Sequence, residues 1–174
     1  MVKGQMSKVI LIRGKAGTGK STLANALGRK LNVTILHKDD IYDTVAAFVN
    51  NHGDRNKICF DLLHKILISS LNSKVDIIID FGYNNLDDVE KLKAWVKQHN
   101  GEWKSIICTC DDKVWAERLN QRKLNPLPNQ LLTDVEDLKK HYSNVRTGIL
   151  EGELVLNTSL DINHLVNQAV NYLI

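Results

Sequence analysis

Gly14-Lys15-Ala16-Gly17-Thr18-Gly19-Lys20-Ser21 fits the spacing G-x-x-x-x-G-K-[ST]. Glycines at these positions let a backbone curl until its N–H groups face phosphate oxygens, and the positive end of a following helix adds to the attraction. In such a loop Lys20 reaches the β- and γ-phosphates, Ser21 offers a hydroxyl to Mg²⁺, and Thr22 is a secondary phosphate contact. Further along, Asp80 closes a Val/Ile-rich run, where an acid can hold a Mg²⁺-bound water or the Ser21 hydroxyl. Arg118 and Arg122 are four apart and share one helix face, and a guanidinium can neutralise the charge of a phosphoryl group in transfer.

These residues need elements to carry them. A strand at 8–12 leads into the glycine-rich turn, and a helix follows with Leu23, Leu27 and Leu31 on one face and Asn32 at its end. A strand at 33–36 runs into His37-Lys38-Asp39-Asp40, and a helix is expected to begin near Ile41. It is the first of two helical segments, the second with a stripe of Ile58, Leu62, Leu63, Ile66 and Leu67, and this hairpin can cover a substrate pocket. Next come a strand at 75–79 before Asp80, a helix at 87–99 packed through Val89, Leu92 and Val96, and a strand at 105–109. The helix from Asp112 must stop near Asn125-Pro126-Leu127-Pro128, since proline lacks an N–H and pushes its predecessor out of the α region.

Beyond a loop of about ten residues, Thr133-Asp134-Val135-Glu136 has capping-box spacing, with Thr133 as the cap of a helix faced by Val135, Leu138, Tyr142 and Val145. A strand at 153–156 and a helix faced by Ile162, Leu165, Val166, Ala169, Val170 and Leu173 close the chain. Strands alternating with helices predict an α/β protein with a parallel sheet buried on both faces.

With the glycine-rich loop, the Asp39-Asp40 pair, the strand ending in Asp80 and Arg118-Leu119-Asn120-Gln121-Arg122, the chain resembles the P-loop kinases. Within them it is similar to the small adenylate-kinase-like and polynucleotide-kinase-like group. The resemblance spans nearly the whole chain and implies a three-layer α/β/α sandwich with a parallel five-stranded sheet. It also implies ATP with Mg²⁺ and transfer of the γ-phosphoryl group to a hydroxyl. On that resemblance Asp39 is the general base, with Asp40 or a purely helix-capping role as alternatives. Arg122 is then the phosphate arginine and Arg118 an adenine contact, the loop at 123–132 is a lid, and Asn157 to Ser159 approach adenine. A solvated helix pairing with Glu117 or Asp112 is the plainer account of the two arginines.

The chain also departs from the pattern. Tyr42 stands where related polynucleotide kinases carry an arginine, and Tyr83-Asn84-Asn85 replaces the Pro-Arg pair of adenylate kinases. An AMP acceptor is thereby disfavoured, and Asn84 and Asn85 become candidates for acceptor binding. Asp80-Phe81-Gly82 has no H-R-D loop beside it, and Asn56-Lys57 lacks the aspartate of a guanine reader, so neither a protein kinase nor a GTP switch is expected.

The 174 residues favour one domain, 43% hydrophobic and 25% charged, with a core large enough to need no staple. Basic residues exceed acidic ones by 23 − 20 = 3, too few to imply nucleic acid or an anionic membrane as partner. The expected partner is a small-molecule acceptor, with a polynucleotide 5′-hydroxyl second and an ATPase module without an acceptor as the rival class. Residues 1–8 precede no signal-peptide core, and no apolar run approaches the roughly 20 residues of a membrane helix, so a cytoplasmic protein is expected. The three cysteines read as reduced core thiols, the six histidines as surface or core residues without metal spacing, and the tryptophans as packing.

Overall fold

A computed structural model describes residues 6–174, so the first five residues of the segment inspected for a signal peptide lie outside it. Its centre is a five-stranded sheet of order β2-β3-β1-β4-β5, with every pairing parallel. The strands are β1 (Lys8–Arg13), β2 (Thr34–His37), β3 (Ile77–Asp80), β4 (Glu102–Thr109) and β5 (Leu154–Asn157). The period of two along β1 splits the molecule into two cores. Val9 and Leu11 face one side and pack with α3 (His52–Ser73) and α4 (Leu86–Gln98). Ile10 and Ile12 face the other, against α1 (Lys20–Leu31) and α7 (Ile162–Leu173). The result is the expected three-layer α/β/α sandwich.

A third, smaller cluster joins Trp115 and Leu119 of α5 (Asp112–Lys123) to Leu138 and Tyr142 of α6 (Val135–Ser143), with Ala16 packed against it. It roofs the glycine-rich turn. The remaining helix, α2 (Lys38–Ala46), follows β2 without a break.

Several boundaries differ from expectation. The buried stripe of α3 is Cys59, Leu63, Leu67 and Leu71, whereas Ile58 and Leu62 are 36% and 37% exposed. Apolar residues cover more than one face over 58–68, so periodicity alone permits two stripes, and packing against the sheet selects one. β3 begins at Ile77 because Lys74, at φ 55°, caps α3, and Val75 is tied to that helix end by its N–H donating to Ser70 O. β4 starts early because Glu102 to Lys104 pair with β1, the charged Glu102 and Lys104 disguising a strand.

α2 starts at Lys38, which puts Asp39 and Asp40 inside its first turn, not in the capping position, where their charge suits the positive helix end. α6 is capped by Asp134 in place of Thr133. One oxygen of Asp134 accepts from Glu136 N and the other from Lys123 Nζ at 2.8 Å, a second partner a threonine hydroxyl could not serve as well. Of the cysteines, Cys59 and Cys108 are buried, but Cys110, next to Arg118, is only half-buried.

Candidate active site

The carboxyl ends of β1, β2 and β3 set the site, as expected of an open parallel sheet. β1 delivers the loop from Gly14 to Ser21, whose turn is built by positive φ at Gly14, Gly17 and Gly19. At Gly14 a Cβ would lie 2.4 Å from Cys108 O, so no other residue fits there. β2 and β3 end in register at His37 and Asp80, and His37 Nδ1 donates to Asp80 Oδ2 at 2.9 Å. His37 Nε2 lies 3.2 Å from Asn25 Oδ1 on α1.

Lys20, Ser21, Thr22, Asp39, Asp80, Asn84 and Arg122 line one cleft of about 580 Å³, together with Gly14, Ala16, Gly17 and Gly19. Asp40 does not line it. A second cavity of about 680 Å³ lies beyond the loop, walled by Arg118, Arg122, Thr158, Leu160 and Ile162. Gly17, Gly19, Thr22, Arg122 and Gln130 face both spaces, so Arg122 stands at their junction and Arg118 on the outer side alone. Arg118 is fixed there by donating to Thr158 Oγ1 and Thr158 O, each at 2.9 Å. Among the described residues neither arginine pairs with Glu117 or Asp112.

The two carboxylates, Asp39 in the first turn of α2 and Asp80 at the end of β3, are tuned in opposite directions. Burial raises the Asp39 pKa, reinforced by the charges of Asp80 and Asp43 and opposed by Lys20 and Lys38. Burial also works to raise Asp80. There, hydrogen bonds from His37 and Ser21 and the charges of Lys20 and His37 prevail, and the carboxyl sits below its ordinary value. His37 is raised in turn, chiefly by its bond to Asp80, against desolvation. Lys38, whose Nζ stands 5.2 Å from the Phe60 ring centroid, is lowered by burial.

Not every expected contact enters the site through its side chain. Lys15 points away, its Nζ 5.5 and 5.6 Å from the centroids of Trp115 and Tyr142, and Thr18 turns its hydroxyl back to Lys15 O. Asn85 caps α4 by accepting from Asp87 N, whereas Asn84 faces the cleft. Asn157 bonds Asp111 and Ser159, leaving Thr158 as the residue of that trio that lines a cavity. The loop after α5 is tied across the cleft, since Asn129 N and Nδ2 donate to the Asp43 carboxylate of α2 at 2.8 and 2.6 Å.

Five residues have roles at the site that went unread in the sequence. His37 is a partner of Asp80, and His52, bonded to Tyr42, faces the cleft with Asn56. Trp115 and Tyr142 grip the loop itself: Trp115 Nε1 donates to Ala16 O at 2.7 Å, and Ala16 N donates to Tyr142 Oη at 2.8 Å. A pair of aromatics with polar tips at α5 and α6 was the available signal, masked by their reading as core.

Residues 9–141 match the sequence profile described as an AAA domain. No curated protein matches the chain in sequence. Among solved structures, a "putative kinase" from Chloroflexus aurantiacus superposes with a TM-score of 0.78 at 20% identity, covering 97% of this chain and 99% of that one. The APS kinase of Mycobacterium tuberculosis, solved with AMPPNP and APS, gives 0.68 at 13% identity over 97% and 98% of the two chains. A gluconokinase from Sinorhizobium meliloti gives 0.66 at 13% over 97% and 93%. At such identities these likenesses show a common fold, that of small P-loop kinases.

Proposed function

Because the chain belongs to the AAA domain family and has the fold of small P-loop kinases, we propose that it transfers the γ-phosphoryl group of ATP to a hydroxyl of a small molecule. The observation that carries this reading is the single cleft that holds Lys20, Ser21, Asp39, Asp80 and Arg122 together, with the outer cavity at Arg118 and Thr158 opening beside it.

In this reading the adenine end occupies the outer cavity and the triphosphate follows the loop backbone inward. Lys20 Nζ, which donates to Lys15 O at 3.0 Å, exchanges that carbonyl for phosphate oxygens. The acceptor oxygen attacks the γ-phosphorus, the bond to the β,γ-bridging oxygen breaks, ADP leaves, and Asp39 takes the hydroxyl proton. Its raised pKa brings Asp39 nearer to the acidity a base needs at neutral pH. Arg122, at the junction of the two spaces, meets the phosphoryl oxygens as their charge spreads, and the loop after α5 excludes water as a lid.

The donors support Mg²⁺ as the metal. Ser21 and Asp80 offer hard oxygens, with Asp80 kept ionised by its neighbours, and one or two such ligands plus phosphate and water is the usual Mg²⁺ set. Held by Ser21 and Asp80, Mg²⁺ would supply positive charge to offset that of the phosphates.

Transfer of ³²P from [γ-³²P]ATP to a panel of metabolites, nucleosides and 5′-hydroxyl oligonucleotides tests the proposal. Labelled small molecules are the expected outcome. Labelled oligonucleotide 5′ ends with steeply salt-dependent binding would move the acceptor to nucleic acid, and ATP consumption indifferent to every acceptor would favour an ATPase module.

A further inference from the structure

The cleft has a neighbour that the phosphoryl-transfer scheme leaves unused. Between α3 and α4 lies a third cavity of about 440 Å³, with Phe60, Tyr83, Leu92 and Trp95 as apolar walls and His64, Asp88 and Lys91 as polar lining. Gly82 and Asn84, just past the end of β3, line both this groove and the cleft. Lys38 lines the cleft while its ammonium stands over the Phe60 ring, so that ring forms a boundary between the two from the α3 side as well. The groove therefore adjoins the cleft, with Gly82 and Asn84 at the shared wall.

We infer that this groove holds an aromatic or heteroaromatic ring of the phosphoryl acceptor, attached by a short arm to the hydroxyl that reaches Asp39. The inference rests on the kinase reading and narrows its substrate class. The walls suit a flat ring. Phe60 and Tyr83 meet edge to face at 5.5 Å, as do His64 and Trp95 at 5.1 Å, an arrangement aromatic groups extend readily to a further ring. Against such walls the hydroxyls of a polyol would find partners only at His64, Asn84, Asp88 and Lys91, whereas a ring face would meet apolar surface.

The polar atoms suit the edge of a heterocycle. His64 Nδ1 donates to Phe60 O at 2.8 Å, which leaves Nε2 of the neutral ring as an acceptor. Burial and then Asp88 raise the Tyr83 phenol, keeping its hydroxyl a donor. The size and mixed lining are those of a site for one small ring system.

The test compares adenosine, thymidine and pyridoxine with glycerol and D-gluconate as acceptors, in the wild type and in Trp95→Leu and Gly82→Val. Trp95→Leu removes a wall ring but keeps apolar bulk. Gly82→Val obstructs the passage: the position is exposed, and a Cβ there meets only Asn84 Nδ2, at 3.9 Å. The expected result is transfer to a ring-bearing alcohol whose KM rises tenfold or more in both variants, while in Trp95→Leu the thermal shift given by ATP with Mg²⁺ stays as in the wild type. Transfer to the ringless alcohols alone, or an unchanged acceptor KM in both variants, would overturn the inference. Equilibrium binding of the three ring-bearing alcohols, followed by calorimetry, separates the two readings. Binding that weakens in Trp95→Leu without any transfer would sustain the groove and sink the kinase, and no binding of any of them would sink the groove.

Discussion

Asp39 and Asp80 follow the ends of adjacent strands, yet one carboxyl is pushed up and the other held down, a difference that, in the proposed reaction, would suit Asp39 to accept a proton and Asp80 to stay an anion. Asp39→Asn should keep the fold and ATP binding but lower kcat by about 10²- to 10⁴-fold, because an amide cannot take the acceptor proton. Steady-state rates at saturating ATP and acceptor check this, and a loss of only a few-fold would remove Asp39 as the base. Asp40, outside the cleft, should tolerate the same change. The His37 and Asp80 pair links stability to pH with a definite sign. Asp80, lowered, contributes stability above the unfolded carboxyl value of about 3.9 and loses it as pH falls through its folded value. His37, raised, contributes fully below about 6.5 and loses its share as pH rises through its folded value. Urea midpoints should therefore peak between about 4 and 6.5, and His37→Gln should flatten the decline on the alkaline side. A slope identical in wild type and variant would show that the pair is not coupled to folding. The motif residues were legible in the sequence because their spacing alone implies an anion cradle. His37 was not, since its role depends on β2 and β3 ending in register, which no local pattern encodes.

Strands and helices were readable where one face is apolar and the other polar, as in α4, whose Val89, Leu92 and Val96 are all buried as expected. Reading failed where apolar residues surround the helix, in α3, and where a strand begins with charged residues, in β4. It missed most at α5 and α6, where Trp115 and Tyr142 are core residues, as expected, but also bond the loop they roof. Together they fix both polar groups of Ala16, and Lys15 lies against both rings. That grip holds the phosphate loop from above while β1 holds it from below. Tyr142→Phe keeps the ring in its cluster and deletes the hydroxyl, leaving Ala16 N without that acceptor. Thermal or urea unfolding should show a loss of about 1 kcal/mol, the net worth of one such bond. A preorganised loop should also bind nucleotide better than a loose one, so the Kd for ATP should rise several-fold. If stability falls while ATP affinity is unchanged, α6 braces the fold and not the site.

Across the whole molecule, the buried ion pair of Arg13 and Glu153 joins parts distant in sequence. Arg13, the last residue of β1 before the phosphate loop, donates through Nε and Nη2 to the Glu153 carboxylate at 2.7 and 2.6 Å, and through Nη2 to Gly148 O at 2.7 Å. Glu153 also accepts from Leu150 N, so the chain between α6 and β5 is pinned beneath the sheet edge that bears the site. Side-chain exposure is 1% for Arg13 and 0% for Glu153, too little for water to replace either partner. Glu153→Ala should accordingly cost about 3–5 kcal/mol, most of it the penalty of an unpaired buried guanidinium. The double variant Arg13→Met with Glu153→Leu removes both charges and should recover much of that loss, since apolar packing often matches a buried pair. Recovery should be incomplete, because Gly148 O then lacks its donor. Urea unfolding of the three proteins measures these terms, and a single substitution costing under about 1 kcal/mol would contradict a dry, paired site. The thermal shift given by ATP then separates stability from position: a double variant as stable as the wild type but with a weaker shift would mean that the pair sets the angle at which β1 presents Gly14, whereas an equal shift would confine its role to closing the fold.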